Sequence, residues 1–153
     1  MVTDWPARWF RVAGEFASWS KDRSTKVGCV IVSAHNQVIS GGYNGFPRGV
    51  VDEIDARHER PVKYLFTEHA ERNAIYDAAK RGIALDGATM YSPLYPCADC
   101  ARAIIQSGIV RLITTDPTMA DYHFVERWKV DMMAATEMFT EAEIDIVFLE
   151  GEF

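Results

Sequence analysis

The sequence predicts an α/β fold, a mixed sheet with helices packed on both faces. Three observations carry that prediction. Two apolar runs near the N-terminus flank a short polar turn, as in a hairpin. From residue 68 onward, helical patterns alternate with apolar runs of strand length. No repeat, low-complexity tract or linker divides the 153 residues, so one domain spanning 1–153 is expected.

Residues 4–20 read as a helix, capped by Asp4 and carrying an apolar stripe of Trp9, Val12, Ala13 and Phe16. "KVGCVIVS" is apolar at consecutive positions, the pattern of a strand buried on both faces. A turn around Ala34–Asn36 leads into a second strand, "QVISGGYNG". The segment that follows, down to Thr67, has no periodicity, and a loop of that length in a compact domain is usually functional or flexible. "FTEHAERNAIYDAAKRG" is a helix with Thr67 at the N-cap position and Gly82 as its stop. "GATMYSPLY", "IVRLITT" and "IDIVFL" supply three more strands, and "CADCARAIIQSG" a short helix ended by Gly108. Residues 121–139 form the last helix, whose stripe of Phe124, Trp128 and Met132 reads as core.

Composition narrows the function. A net charge of −6 disfavours binding to a long nucleic-acid backbone, although a local basic patch could still hold one phosphate. No apolar run approaches the ~20 residues of a membrane span. The opening "MVTDWPARWF" lacks the plan of a signal peptide, so a cytoplasmic location is expected. Three cysteines, Cys29, Cys97 and Cys100, are too few and of the wrong parity for a secreted disulfide scaffold.

Chemistry concentrates in two places. One is the crowded first turn holding Glu68, His69 and Glu71; the other is "YPCADC", which sets Cys97 and Cys100 on one face of a helical turn. By itself the cysteine pair fits a redox dithiol, two buried thiols or half of a zinc site. By itself His69 is a satisfied histidine near a helix start. Together they spell H-x-E…P-C-x-x-C, the signature of the zinc deaminases. His69, Cys97 and Cys100 then supply three zinc ligands and leave the fourth tetrahedral position for water. Both helix N-termini favour thiolates and a bound anion. Glu71 is the proton carrier, taking a proton from water and passing it to the ring nitrogen beside the amino-bearing carbon. Glu68 has no role in this scheme beyond a first-turn charge.

Beyond the signature, "KDRSTKVGCVIVS", "GYNGFPRG", "EHAERNAI" and "YPCADCARAIIQSGI" resemble the deoxycytidylate (dCMP) deaminases of bacteria and phages, from about Lys21 to Thr115. The resemblance implies a three-layer α/β/α cytidine-deaminase-like fold with a five-stranded mixed sheet. It also implies one catalytic zinc per chain, and conversion of dCMP to dUMP and ammonia. Asn44 would touch sugar or base, while its Asn-Gly pair also suits a turn. The Ala70 backbone would bond the base, and Val27 would pack on the ring. Ser24 and Lys26 are the first candidates for the 5′-phosphate, with Arg23, Arg48 and Tyr122 behind them. A homo-oligomer, hexamer or dimer, is expected from the same resemblance. Cys29, His35 and His58 are the residues left for any further zinc, and Cys29 reads as core. Two other functions stay open at this stage. One is a deaminase of the same fold acting on cytidine, guanine or tRNA adenosine. The other is a non-catalytic module stapled by zinc, which would normally use four protein ligands.

Overall fold

Asp4 opens helix α1 (Trp5–Ser18) by accepting the Ala7 N–H at 3.1 Å, as its cap position predicts. The computed structural model describes residues 4–150. Strand β1 (Gly28–Val32) is buried along its whole length, and it turns through Asn36, at φ 60°, into β2 (Val38–Tyr43). The aperiodic segment that follows contains one 3-10 turn at Asp55–Arg57 and a single-turn helix, α2 (Lys63–Phe66). Then come α3 (Ala70–Lys80), β3 (Thr89–Tyr91), α4 (Ala98–Gln106), β4 (Arg111–Thr114), α5 (Tyr122–Glu141) and β5 (Asp145–Phe148).

The five strands lie in the order β2-β1-β3-β4-β5. Strand β1 is antiparallel to both its neighbours, whereas β3, β4 and β5 run parallel. The sheet is therefore mixed. Alternation along the strands sorts the core into two layers. Cys29, Ile31, Met90 and Leu112 face α3, α4 and α5, where Ala74, Ile104 and Phe139 are buried. Val30, Val32, Tyr91 and Ile113 face the other way, onto Phe10 and Ala13 of α1. Each large side chain so buried contributes about 1.5–3 kcal/mol. Cys29 is wholly enclosed, as its reading as core anticipates. Among the described residues no helix is long and apolar enough to cross a membrane.

Two glycines set how closely helices approach the sheet. A Cβ on Gly28 would stand 1.9 Å from the Ala13 carbonyl oxygen, and one on Gly42 would stand 2.5 Å from the Ala74 nitrogen. Gly42 thus lets α3 lie directly on β2, which fixes where the start of α3 projects.

Helix α3 begins later than the sequence predicts. Thr67 is not its N-cap; its N–H instead closes α2 on the Lys63 carbonyl at 2.9 Å. Glu68 pairs with Gly45 in an isolated antiparallel bridge, with N–H···O bonds of 2.8 and 3.0 Å. That pairing holds the chain extended, so the cap falls on His69 (ψ 155°).

Candidate metal centre and active site

Two helices start at the same point in space, and each has a metal-ligating side chain as its cap. His69 caps α3 and Cys97 caps α4, and neither side chain makes a capping hydrogen bond. Caps ordinarily satisfy the orphan N–H groups of the first turn. Here they are turned toward one another instead. The Cys97 and Cys100 sulfurs lie 3.5 and 3.6 Å from His69 Nδ1. The ligand atoms of His69, Cys97 and Cys100 all fall within 4.8 Å of one another. One imidazole and two thiols are donors that suit zinc, and three protein ligands leave a fourth position open.

The electrostatics agree with that donor set. A hydrogen bond from Cys100 is the largest influence on Cys97, and with His69 it outweighs burial and lowers the thiol to about 4. Cys100 moves the other way, because it donates to Cys97 and is deeply buried. A bound metal would favour the thiolate form of both sulfurs. His69 is raised, first by its bond to Cys97.

Glu71 sits one residue into α3 past Ala70 and is 4% exposed. Burial, the largest influence, raises its carboxyl above the ordinary glutamate range against the pull of His69. Cys100 Sγ lies 3.6 Å from its Oε2, and Ser92 Oγ lies 3.4 Å from its Oε1. A carboxyl that holds a proton more readily than usual, beside the metal ligands, is suited to ferry one.

His69, Glu71 and Cys97 line a cavity and form its floor; Cys100, fully buried beside His69, does not line it. Val27, Asn44 and Ala70 line it, together with Tyr95 and Leu94. Asn44 is tied down at both ends of its amide: Oδ1 accepts the Val27 N–H at 2.8 Å, and Nδ2 donates to the Thr25 carbonyl at 2.8 Å. It braces the entry to β1 and faces the cavity at the same time. Phe124, Trp128 and Met132 form a wall. The stripe read as plain core is therefore core and cavity lining together. Trp128 meets the His69 ring edge-on at 6.2 Å and the Tyr64 ring at 6.1 Å.

The mouth differs from the sequence reading. Lys26, Arg23, Arg48 and Tyr122 do not line this cavity. Lys26 is exposed, Arg23 pairs with Asp55 at 2.5 Å, Arg48 lies 3.9 Å from Asp77 in a groove along β2, and Tyr122 is 69% exposed. The cations that do line the mouth are Arg60, Lys63 and Arg127. Lys63 is buried, paired with Asp22 at 2.8 Å and donating to Ser24 Oγ at 2.7 Å. Ser24 does not line the cavity either; its Oγ accepts from Lys63 and, at 3.3 Å, from Arg60, which do. Arg60 also donates to Tyr64 Oη at 2.9 Å. Among the described residues neither Arg60 nor Arg127 forms an ion pair with a carboxylate. The one signal in the sequence was the run Arg60–Lys63–Tyr64 placed just ahead of the H-x-E triplet.

Comparisons with known proteins agree with this geometry. The chain is 41% identical over 149 residues to an uncharacterised deaminase of Aliivibrio fischeri, covering 97% of this chain and 96% of that one. It is 38% identical over 115 residues to human deoxycytidylate deaminase, covering 72% of this chain and 64% of the human protein's length. In fold it matches the crystal structure of a dCMP deaminase from cyanophage S-TIM5 in complex with dCMP and dUMP. There the TM-score is 0.75 at 22% identity, over 97% of this chain and 99% of that one. The family model of the cytidine and deoxycytidylate deaminase zinc-binding region matches residues 3–115, which takes in His69, Glu71, Cys97 and Cys100. The chain belongs to the cytidine and deoxycytidylate deaminase family.

Proposed function

We propose that this chain hydrolyses the 4-amino group of dCMP, giving dUMP and ammonia, with Glu71 as proton carrier and His69, Cys97 and Cys100 as zinc ligands. One observation carries the reading: a single cavity has His69, Cys97 and the buried Glu71 carboxyl at its floor, with Cys100 beside them, and at its mouth two arginines that have no carboxylate partner among the described residues. Relatives named deoxycytidylate deaminase, at 38–39% identity, support the same substrate.

When bound, zinc supplies a Lewis-acidic position at which water becomes nucleophilic near neutral pH. Everything else comes from the chain. Glu71 accepts a proton from the attacking water and delivers it to N3 of the base, as the C4–O bond forms. It then takes the second proton from the hydroxyl now on C4 and passes it to the amino group, the C4–N bond breaks, and ammonia leaves as the C4 carbonyl forms. Val27 and the Trp128 wall confine the ring. The Ala70 N–H, in the first turn of α3 where helix geometry leaves it without an intrahelical partner, would donate to the base, since Ala70 lines the cavity. Arg60 and Arg127 hold the 5′-phosphate, while Lys63 is occupied by Asp22 and organises Ser24. With this reading go the cytoplasmic location expected from the N-terminal sequence and the homo-oligomeric assembly that the resemblance implies; sedimentation checks the second.

The test is an ultraviolet absorbance assay on zinc-loaded protein with dCMP, CMP, deoxycytidine and guanine offered separately. Turnover of dCMP well above deoxycytidine is expected. Turnover of guanine or deoxycytidine with dCMP ignored would contradict the proposal.

A further inference from the structure

Glu68, which the sequence leaves without a task, sits at a junction. Its backbone pairs with Gly45, next to Asn44. Its Oε1 accepts the His69 N–H at 3.0 Å and lies 2.5 Å from Arg72 Nε. From there Arg72 Nη1 reaches Asp99 Oδ2 at 3.2 Å. Asp99 stands between Cys97 and Cys100, and its other oxygen is paired with Arg102. A chain of charges therefore runs from the residue before the histidine ligand to the residue between the two cysteine ligands.

We infer that Arg72, bridging Glu68 and Asp99, is a positioning residue that sets the spacing of His69 from Cys97 and Cys100 and so governs zinc affinity. The inference rests on the zinc reading of the site. Three observations carry it. First, the ligands sit on separate helices, and their separation depends on how two helix ends meet. Second, the apolar contacts of α3 and α4, among them Ala74, Ala78, Ala101 and Ile104, lie along the helix bodies. The rim at the ligands is joined by charge instead. Third, Arg72 and Glu68 are only 19% and 21% exposed, so this arm of the bridge is partly shielded from solvent, unlike the exposed pairs that contribute little, while the Asp99 arm opens to solvent at 53%. Arg72 Nε is buried without a hydrogen-bond partner despite its nearness to Glu68, so this end of the bridge is held by charge and not by an aligned bond. The same cation faces the two thiolates that a bound metal would require, partly offsetting their charge.

The experiment measures zinc affinity by competition with a chromophoric chelator, and the melting midpoint of zinc-free protein, for wild type, Arg72→Met, Arg72→Lys, Asp99→Asn and Arg72→Met/Asp99→Asn. Outer partners of metal ligands typically carry 10–100-fold in affinity. Arg72→Met should therefore weaken zinc by about 10-fold or more, with Asp99→Asn smaller and the double variant no worse than Arg72→Met. Arg72→Lys, which keeps the charge but cannot span both carboxylates, should fall between. Should Arg72→Met fail to fold, the exposed Asp99→Asn carries the test alone, through weaker zinc at an unchanged midpoint. Zinc held as tightly in the variants as in wild type would overturn the inference. So would additive losses in the double variant, or a lowered zinc-free midpoint with unchanged affinity. Failure of wild type to take up zinc would instead contradict the zinc reading itself.

Discussion

The floor and the mouth of the cavity are built in opposite ways. At the floor, every group to which the proposal gives a chemical role lies within one helical turn of a chain segment that also fixes its direction. His69 and Glu71 open α3, and Cys97 and Cys100 open α4. At the mouth, Arg60 comes from the aperiodic segment, Lys63 and Tyr64 from a one-turn helix, and Arg127 from α5, while Ser24, from the loop before β1, bonds to Lys63 behind it. Bond-making needs fixed geometry of a few ångströms, which short local spacing supplies. Holding a phosphate needs charge within a wider volume, and distant elements can share that work.

The sharpest way to break the comparison is at the floor. Glu71→Gln keeps the shape of the side chain and removes its proton traffic. Deamination should fall by about 10²–10⁴-fold while zinc content, read by metal analysis, stays that of wild type. A variant with near-normal turnover would remove Glu71 from the mechanism.

At the mouth the largest effect should be on stability, at the Asp22–Lys63 pair. Both side chains are under 10% exposed. Lys63→Met leaves Asp22 buried without its partner, and should cost about 3 kcal/mol in denaturant unfolding. The pair also predicts a pH dependence. Burial alone would raise the Asp22 carboxyl, but Lys63 and the N–H groups of Thr25 and Ser24 outweigh it and hold it at about 2. Its folded value lies below the unfolded value of ~3.9, so the stabilisation is complete above that value and is lost as pH falls toward 2. The stability gap between wild type and Asp22→Asn should accordingly narrow on acidification below about pH 4. A gap that widens there would reverse the sign.

A smaller effect is expected behind the floor. Gly42→Ala places a methyl against the backbone of α3 and should destabilise by about 1–3 kcal/mol. Because that contact sets the start of α3, activity should drop as well, measured at a temperature where the variant is fully folded. Unchanged activity would show that the ligand end of α3 is held by its neighbours and not by its seat on the sheet.

The same contrast explains what could be read from the chain. The consecutive apolar run of β1, the Asp4 cap and the two helix starts that carry His69 and the cysteine pair are local patterns, and each appears in the structure at or near its predicted place. The start of α3 was displaced by a non-local event, the pairing of Glu68 with Gly45 across 23 residues. Lys26 and Lys63 look alike in sequence, and only tertiary contact makes Lys63 the buried one. Helical spacing at Phe124, Trp128 and Met132 says that a face is covered. It does not say whether protein or substrate covers it.

The central claim is that floor and mouth serve one nucleotide. Its most direct test is kcat/KM for dCMP and for deoxycytidine, measured in wild type and in Arg60→Ala/Arg127→Ala. Wild type should favour dCMP, and the double variant should lose about 10–100-fold on dCMP through KM while its rate on deoxycytidine is unchanged. An equal loss on both substrates, or none on either, would contradict it.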